Sequence, residues 1–456
     1  MTSRPGSPSG PVAADPRLAR ELGVRQLAAI IFNYVVGGGI FVLPALAASR
    51  LGPAAVLAYL VCAVIAGLMV LCFAEAGSRV QSTGGPYAYA EAAFGSYIAF
   101  IVGALNLLSA ALASGAVSGI FASSLLALAG VTAPGARPLV MVAVVGAAAA
   151  INIRGLKGGA RLVEVATLLK LVPLVGFVVF GAFYVRAPFL VWTDTPPASE
   201  VFATAGLIIL AFVGIESALQ PSGEVKVPER TVPRAALTAM GAVVILYISV
   251  QLVAQGLLGP DLAGDPVAPL ASAAGSAFGP LARTAMLAAA AASMFGNLSG
   301  SILAGPRGLF ALGRDRFLPA TLGAVHPSRR TPHVAILVYA IVSLGLGLSG
   351  TFEQIAILTN LASLLVYIVI ALAAWRLRAT GVRLAGAPFR LRGGPLVPIL
   401  ACASIVAVIV ATVSVAEVVA MAVAIAVATT LYVVRQLRGP GPRPTTIPEG
   451  PPSDVM

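Results

Sequence analysis

Long hydrophobic runs dominate the chain, and only short polar stretches separate them. A helix needs about 20 mostly apolar residues to cross the hydrocarbon core of a bilayer. Twelve runs meet or approach that length, and the third and eighth exceed it, which predicts tilted or protruding helices. The pattern therefore predicts an all-α membrane protein with twelve transmembrane helices, within the approximate limits 25–50, 53–76, 97–129, 138–153, 160–184, 201–221, 234–258, 281–312, 333–350, 354–376, 395–414 and 416–436.

The two ends of the chain depart from this pattern. Residues 1–24 and 437–456 are rich in Pro, Gly and Ser, a composition typical of disordered segments. The first of these has no apolar core followed by a cleavage site, so no signal peptide is predicted. We expect one membrane domain over 25–436 between two disordered tails.

The distribution of charged residues predicts the orientation of the chain in the membrane. The chain is 59% hydrophobic and only 10% charged, against about 25% charged residues in a soluble domain. With a cytoplasmic N-terminus, 24 of the 29 Lys and Arg residues fall in cytoplasmic tails and loops, and Lys170 lies inside a helix. By the positive-inside rule, the net charge of +12 reflects topology in the inner (cytoplasmic) membrane rather than nucleic-acid binding. Four residues fall outside: Arg50, Arg137, Arg186 and Arg283.

Few residues suit metal binding or catalysis. The three cysteines lie inside predicted spans without a CxxC spacing. His326 and His333 are seven apart in or beside a loop, and we interpret them as solvated loop residues rather than a metal site. The chain has no GxxxxGK[ST] motif for nucleotide hydrolysis. We predict no catalytic residue, no metal and no cofactor, and hence a protein that is not an enzyme.

The first predicted helix carries three successive glycines, Gly37, Gly38 and Gly39, near its middle. Each costs a helix about 1 kcal/mol relative to alanine. Irregular backbone at membrane depth is tolerated only where it is buried in protein or lines a cavity. Close helix packing is the alternative, but it places glycines four apart on one face. Three consecutive glycines therefore predict a break in the helix.

A second break is predicted in the sixth helix, LIILAFVGIESALQPSGE, where Gly214 and Glu216 stand near the middle. Paired discontinuous helices at matching places in two halves are typical of transporters built from inverted repeats. We predict five-helix repeats over 25–200 and 201–376, with the last two helices over 395–436.

The broken helices suggest a ligand. A half-helix that starts near Gly39 presents free N–H groups and the positive end of its dipole. A half-helix that ends near Val213 presents free carbonyls. An α-amino acid carries both complementary charges on one carbon, and glycine lets its carboxylate approach the backbone closely. We expect the carboxylate at Gly37–Gly39 and the ammonium near the carbonyls of Val35, Leu210 and Val213.

The motifs around both breaks resemble the amino acid–polyamine–organocation (APC) superfamily, whose bacterial members include amino acid permeases. The resemblance covers most of the first eight helices and thins after residue 320. It implies the leucine-transporter-type fold, a 5+5 inverted repeat plus two helices that works by alternating access. The matching stretches are GGGIF at 37–41, STGGPYAYAEAAFG at 82–95, NIRGLKGGARLVEVATLLKLVPLVG at 152–176, FVGIES at 212–217 and GEVKVPERTVPRA at 223–235.

Departures from the family point to the substrate class. Where arginine/agmatine antiporters of the family carry gating tryptophans, this chain has Leu210 and Ser301. The third-helix positions expected to line the pocket are Ser109 and Ser114. Apart from Glu216, no acid is left for a guanidinium, so a small neutral amino acid is the expected substrate.

Ionisable residues inside the membrane are functional candidates. Lys170 lies about 15 Å from the cytoplasmic end of its helix at 1.5 Å per residue, too far to reach water. The family resemblance implies that it replaces a sodium ion of related transporters, and a buried amine can lose and regain a proton. Glu216 either ties down the unwound backbone or carries a proton, and both alternatives stay open.

Other charged and aromatic residues have simpler interpretations. Glu75 with Arg79, and Arg161 with Glu164, are spaced as surface pairs on a helix rather than as gates. Tyr87 and Tyr89 are expected to mark the membrane interface.

These observations predict a proton-coupled secondary transporter, or permease, for a small neutral amino acid. An exchanger of amino acids or amines without net proton coupling is the alternative in the same class. A channel or a non-transporting scaffold is the alternative from another class, but a channel needs a continuous polar ring. The expected partners are the amino acid substrate, protons and the bilayer, with a monomer or homodimer as the assembly.

Overall fold

The computed structural model describes residues 22–80, 84–133, 135–154, 156–192, 194–219, 225–314, 318–329, 331–350, 352–382, 387–391 and 393–437. The predicted tails lie almost wholly outside these ranges. Within them the chain forms sixteen α-helices: α1 Val24–Val35, α2 Leu43–Leu51, α3 Val56–Arg79, α4 Pro86–Phe94, α5 Ser96–Ala129, α6 Ala136–Arg154, α7 Leu156–Gly181, α8 Ala198–Ile208, α9 Ile215–Ala218, α10 Pro228–Leu258, α11 Pro269–Phe278, α12 Pro280–Arg314, α13 His333–Ser349, α14 Phe352–Ala379, α15 Leu396–Thr412 and α16 Val415–Leu437.

Helices occupy all twelve predicted segments. Two segments contain a pair of helices each, α1 with α2 and α8 with α9. The helices expected to be over-long are so, since α5 has 34 residues and α12 has 35. Among the described residues, eight helical stretches are long and apolar enough to cross a membrane, and four shorter apolar helices have 10–17 residues. The chain is a nearly all-helical, multi-pass membrane protein.

Two short helices, α4 and α11, are not evident from hydropathy. Each is followed by a single glycine and then by a long helix. Gly95 and Gly279 take φ of +86° and +85°, values that glycine adopts readily and other residues rarely do. Proline, which loses no helical hydrogen bond in the first turn, begins four helices: α4, α10, α11 and α12.

The helices pack in two groups that enclose the candidate site. In the first, α3 packs against α8 and α10, and α10 packs against α1. In the second, α5, α6, α12 and α13 pack against one another around a separate apolar core. The crossing of α5 and α13 is close enough to require glycine. A Cβ on Gly115 would lie 2.6 Å from the carbonyl oxygen of Ser343.

The interpretation of Glu75 and Arg79 as a surface pair is wrong. Both side chains are buried, with exposures of 1% and 3%, and their charged groups are 2.8 Å apart. Arg378 from α14 binds both oxygens of the carboxylate, with Nε 2.7 Å from Oε1, which it shares with Arg79, and a terminal nitrogen 2.5 Å from Oε2. Arg79 also donates to the carbonyl of Val382. The i,i+4 spacing identified the pair but not the end of α14 that covers it. The side chains of Arg161 and Glu164 lie outside the described part.

One further expectation needs correction. Tyr89 is fully buried rather than interfacial, whereas Tyr87 is 38% exposed and its interfacial position stays a prediction. Residues two apart on a helix point in different directions, so one of the two tyrosines can be buried while the other is exposed. His326 and His333 are both partly exposed, and their rings pack edge to face with centroids 5.3 Å apart.

Candidate functional site

The first helix is interrupted at its glycines. After α1 ends at Val35, residues 36–38 are irregular, a 3₁₀ turn follows over Gly39–Phe41, and α2 begins at Leu43. The N–H of Gly37 donates to the carbonyl of Val35 at 2.8 Å. The N–H groups of Gly38, Gly39 and Ile40 donate to no acceptor within the described ranges. Three backbone donors are thus free at this break.

The sixth predicted helix is interrupted at a matching place. After α8 a 3₁₀ turn runs over Ile209–Phe212, Val213 is extended, and α9 starts at Ile215. Gly214 has φ of +134°, and a Cβ there would lie 3.0 Å from the carbonyl oxygen of Tyr34. Only glycine satisfies both the dihedral angle and the contact. The two breaks therefore touch at Gly214 and the end of α1.

A buried cation holds the first break. Lys170 on α7 is 2% exposed, and its Nζ donates to the carbonyls of Asn33 at 3.0 Å and Val36 at 2.5 Å. Ser293 on α12 donates to the carbonyl of Gly37 at 3.4 Å. Carbonyls at the end of an interrupted helix lack their usual N–H partners. The lysine and the serine supply donors in their place.

A buried anion holds the second break. Oε2 of Glu216 accepts from the N–H of Gly214 at 3.0 Å and from the hydroxyl of Tyr367 on α14 at 2.6 Å. The side chain is 4% exposed. The carboxylate thus fastens the unwound backbone, which is one of its two expected roles.

One residue that bridges both breaks was not predicted. The hydroxyl of Tyr247 on α10 lies 3.0 Å from the carbonyl oxygens of both Val35 and Ala211. Its ring packs edge to face on Phe212 with centroids 5.0 Å apart. A tyrosine within the apolar run VVILYI at 243–248 was the available signal, since a buried hydroxyl usually finds a partner.

A cavity of about 590 Å³ lies between the two breaks and the helices α5 and α12. It extends to the loop between α3 and α4, where Gly84 and Tyr87 line it, and to Arg307 near the end of α12. Most of the predicted site residues line it, namely Val35, Gly37, Gly38, Gly39, Ser109, Leu210, Val213, Ser301 and Glu216.

Two predicted site residues, Lys170 and Ser114, are not part of the cavity lining. Lys170 donates to the carbonyls of Asn33 and Val36 at the first break. Ser114 bonds instead to the hydroxyl of Tyr339 and the carbonyl of Ala110, at 3.1 and 2.8 Å. Five residues at about 100° each place Ser114 about 140° around the helix from Ser109, and its hydroxyl is directed to α13. Ser109 itself is held by α14, 2.5 Å from the hydroxyl of Ser363.

Two asparagines in the cavity wall were missed. Asn106 on α5 and Asn297 on α12 both line the cavity. Asn297 precedes Ser301 by four residues and therefore lies on the same face of α12. This spacing was the signal in the sequence that could have identified it. Among the described residues, no three His, Cys, Asp or Glu side chains are placed to share a metal ion.

Contacting helix breaks beside a cavity, in an apolar multi-helix chain, are typical of membrane transporters built around a site at the bilayer midplane. The sequence profile of the amino acid permease family matches residues 22–434. The chain belongs to this family, and the resemblance to the APC superfamily is confirmed.

The relatives of the chain include several bacterial transporters. The branched-chain amino acid permease BcaP of Bacillus subtilis is 29% identical over 409 residues, which cover 84% of this chain and 86% of the relative. The methylthioribose transporter of the same organism is 29% identical over 405 residues, with 84% and 86% covered. Its serine/threonine exchanger SteT is 27% identical over 409 residues, with 85% and 90% covered.

Proposed function

We propose that the chain is a secondary active transporter for a small neutral amino acid, coupled to protons and working by alternating access. The observation that carries this proposal is the pair of contacting breaks beside the cavity. One break has free N–H groups at Gly38, Gly39 and Ile40, which suit a carboxylate. The other places the carbonyl of Val213 at the cavity, where no described group donates to it, and this suits an ammonium.

The charges of the cavity wall favour a neutral side chain. Glu216 and Arg307 are the charged residues in the described lining. Oε2 of Glu216 already accepts two hydrogen bonds that fasten the second break, and the exposed Arg307 adds a positive charge to the lining. Both features disfavour the cationic side chains of lysine, arginine and agmatine. The similarity to a branched-chain permease and a serine/threonine exchanger supports the same class.

Lys170 is the group proposed to couple substrate to protons. Its ammonium occupies the place of a bound cation between the carbonyls of Asn33 and Val36. Loss of the proton weakens both contacts and loosens the first break, whereas its return restores them. Proton transfer and the conformation of α1 are in this way linked.

We further propose twelve spans, a 5+5 inverted repeat and cytoplasmic termini in the cell membrane. The support is the order of elements, in which the broken pair α1–α2 is followed by α3, short α4, long α5, α6 and α7. The broken pair α8–α9 is followed in the same order by α10, short α11, long α12, α13 and α14. With this orientation the cavity opens toward the cytoplasm through Gly84 and Tyr87.

Uptake into proteoliposomes tests the proposal. Radiolabelled L-isoleucine and L-threonine should accumulate with an inward proton gradient and without sodium, and arginine should compete poorly. Arginine as the best competitor would contradict the substrate class.

The similarity to SteT makes an exchanger the second candidate. Uptake that requires internal amino acid and ignores an imposed proton gradient would select the exchanger instead.

A further inference from the structure

One face of α12 carries a polar stripe from the first break into the cavity. Ser293, Asn297 and Ser301 are spaced four apart, which places them on one side of the helix. Ser293 donates to the carbonyl of Gly37. The next residue of the stripe, Asn297, faces the same glycine, since a Cβ on Gly37 would lie 3.2 Å from its Nδ2. Gly37, Asn297 and Ser301 line the cavity.

The amide of Asn297 differs from those of the buried asparagines. Nδ2 of Asn152 donates to the carbonyls of Ala148 and Ser299, and Nδ2 of Asn360 donates to the carbonyl of Gly206. Asn297 has no hydrogen-bond partner within the described ranges. A partly exposed amide donor is thus held beside the free N–H groups of the first break.

We propose that Asn297 is a specificity-determining residue, whose side-chain amide donates to the carboxylate of the bound amino acid together with the glycine N–H groups. This inference rests on the proposed transport of amino acids. A hydrogen bond to a charged acceptor is stronger than one between neutral groups. Its loss should weaken binding about tenfold or more. The site would then reject ligands in which a neutral group replaces the carboxylate.

The test pairs each amino acid with its amino alcohol. L-isoleucine and L-threonine are compared with isoleucinol and threoninol, in which a hydroxymethyl group replaces the carboxylate. Dissociation constants are measured by calorimetry on the full chain for wild type, Asn297→Ala, Asn297→Asp and Asn106→Ala. Asn297→Ala should weaken the amino acids about tenfold and the amino alcohols much less. In Asn297→Asp the aspartate carboxylate lies against the carboxylate of the amino acid and repels it. This variant should therefore bind the amino alcohols more tightly than the amino acids.

Asn106→Ala is the matched control, because it removes an amide from the same cavity, whereas the atoms nearest a Cβ on Gly37 belong to Asn297. Any loss of affinity in Asn106→Ala should be equal for an amino acid and its amino alcohol. Equal losses for both ligands in the Asn297 variants, with unliganded melting temperatures unchanged, would assign Asn297 a structural role and overturn the inference. Failure of the wild type to bind either amino acid would instead contradict the proposed function.

Discussion

The two helix breaks meet at one point, yet groups of opposite charge hold them. At the first break Lys170 donates to the carbonyls of Asn33 and Val36. At the second, Glu216 accepts from the N–H of Gly214. The charge of each residue matches the backbone group beside it. Lys170 is a donor and meets carbonyls, whereas Glu216 is an acceptor and meets an N–H group.

The breaks also differ in how strictly they need glycine. Gly38 has φ of −76° and ψ of −24°, which every residue adopts, although a Cβ there would lie 2.9 Å from Cγ of the buried Met294, which would have to shift. Gly214 has φ of +134° and lies against rigid backbone. The second break therefore depends on one glycine for its shape. The first uses glycines to keep N–H groups accessible.

The largest effect is expected from Gly214→Ala. The dihedral strain costs about 1–3 kcal/mol, and the contact with the Tyr34 carbonyl adds to it. Uptake should be lost and the melting temperature lowered, whereas Gly38→Ala should lower affinity with a smaller fall in melting temperature, because it requires a shift of Met294 but adds no dihedral strain. Gly241→Ala is the control, because no atom lies within 4 Å of a Cβ there. Equal melting temperatures for Gly214→Ala and Gly241→Ala would contradict the proposed contrast.

Substitution of Lys170 separates its charge from its proton exchange. Lys170→Ala removes the donors from the first break, so uptake should lose its pH dependence and accumulation should fall. Lys170→Arg keeps a charge that cannot be lost, and it should also abolish the pH dependence while preserving more stability. Uptake is measured across imposed pH and sodium gradients. An unchanged pH profile in both variants, or a strict sodium requirement in wild type, would remove Lys170 from coupling.

Glu216→Gln is expected to have a smaller effect. Glutamine keeps a carbonyl oxygen that accepts from the Gly214 N–H, so the break should persist at a cost of about 1–2 kcal/mol. The pH profile of uptake should resemble that of wild type. If this variant loses the pH dependence while Lys170→Ala retains it, the proton carrier is at the second break.

The smallest effect is expected from Tyr247→Phe, which removes the hydroxyl shared by both breaks. The loss should be about 1 kcal/mol in stability, with a modest fall in affinity. Tyr59→Phe is the matched control, because that buried hydroxyl has no hydrogen-bond partner among the described residues. Thermal unfolding of both variants measures the difference, and equal shifts would show that Tyr247 does not join the breaks.

Much of the site could be predicted because some signals are local. Three glycines in a membrane helix, or a lysine far from either end of one, are unfavourable unless the fold uses them. Residues whose importance depends on a partner were harder to find. Tyr247 is an ordinary helical tyrosine until the ends of α1 and α8 meet its hydroxyl. Asn297 and Ser114 show the same limit, since only packing decides which face of a helix meets a cavity.

The sequence by itself determined the membrane environment, the helical segments and the two breaks. Hydropathy, helical period and the conformational cost of glycine act within a few residues of each other along the chain. Only the tertiary structure decided that Glu75 and Arg79 are buried under Arg378, that the hydroxyl of Tyr247 reaches the carbonyl of Val35, and that Gly214 touches Tyr34. Each of these contacts joins residues more than 100 positions apart, and the packing of separate helices brings them together.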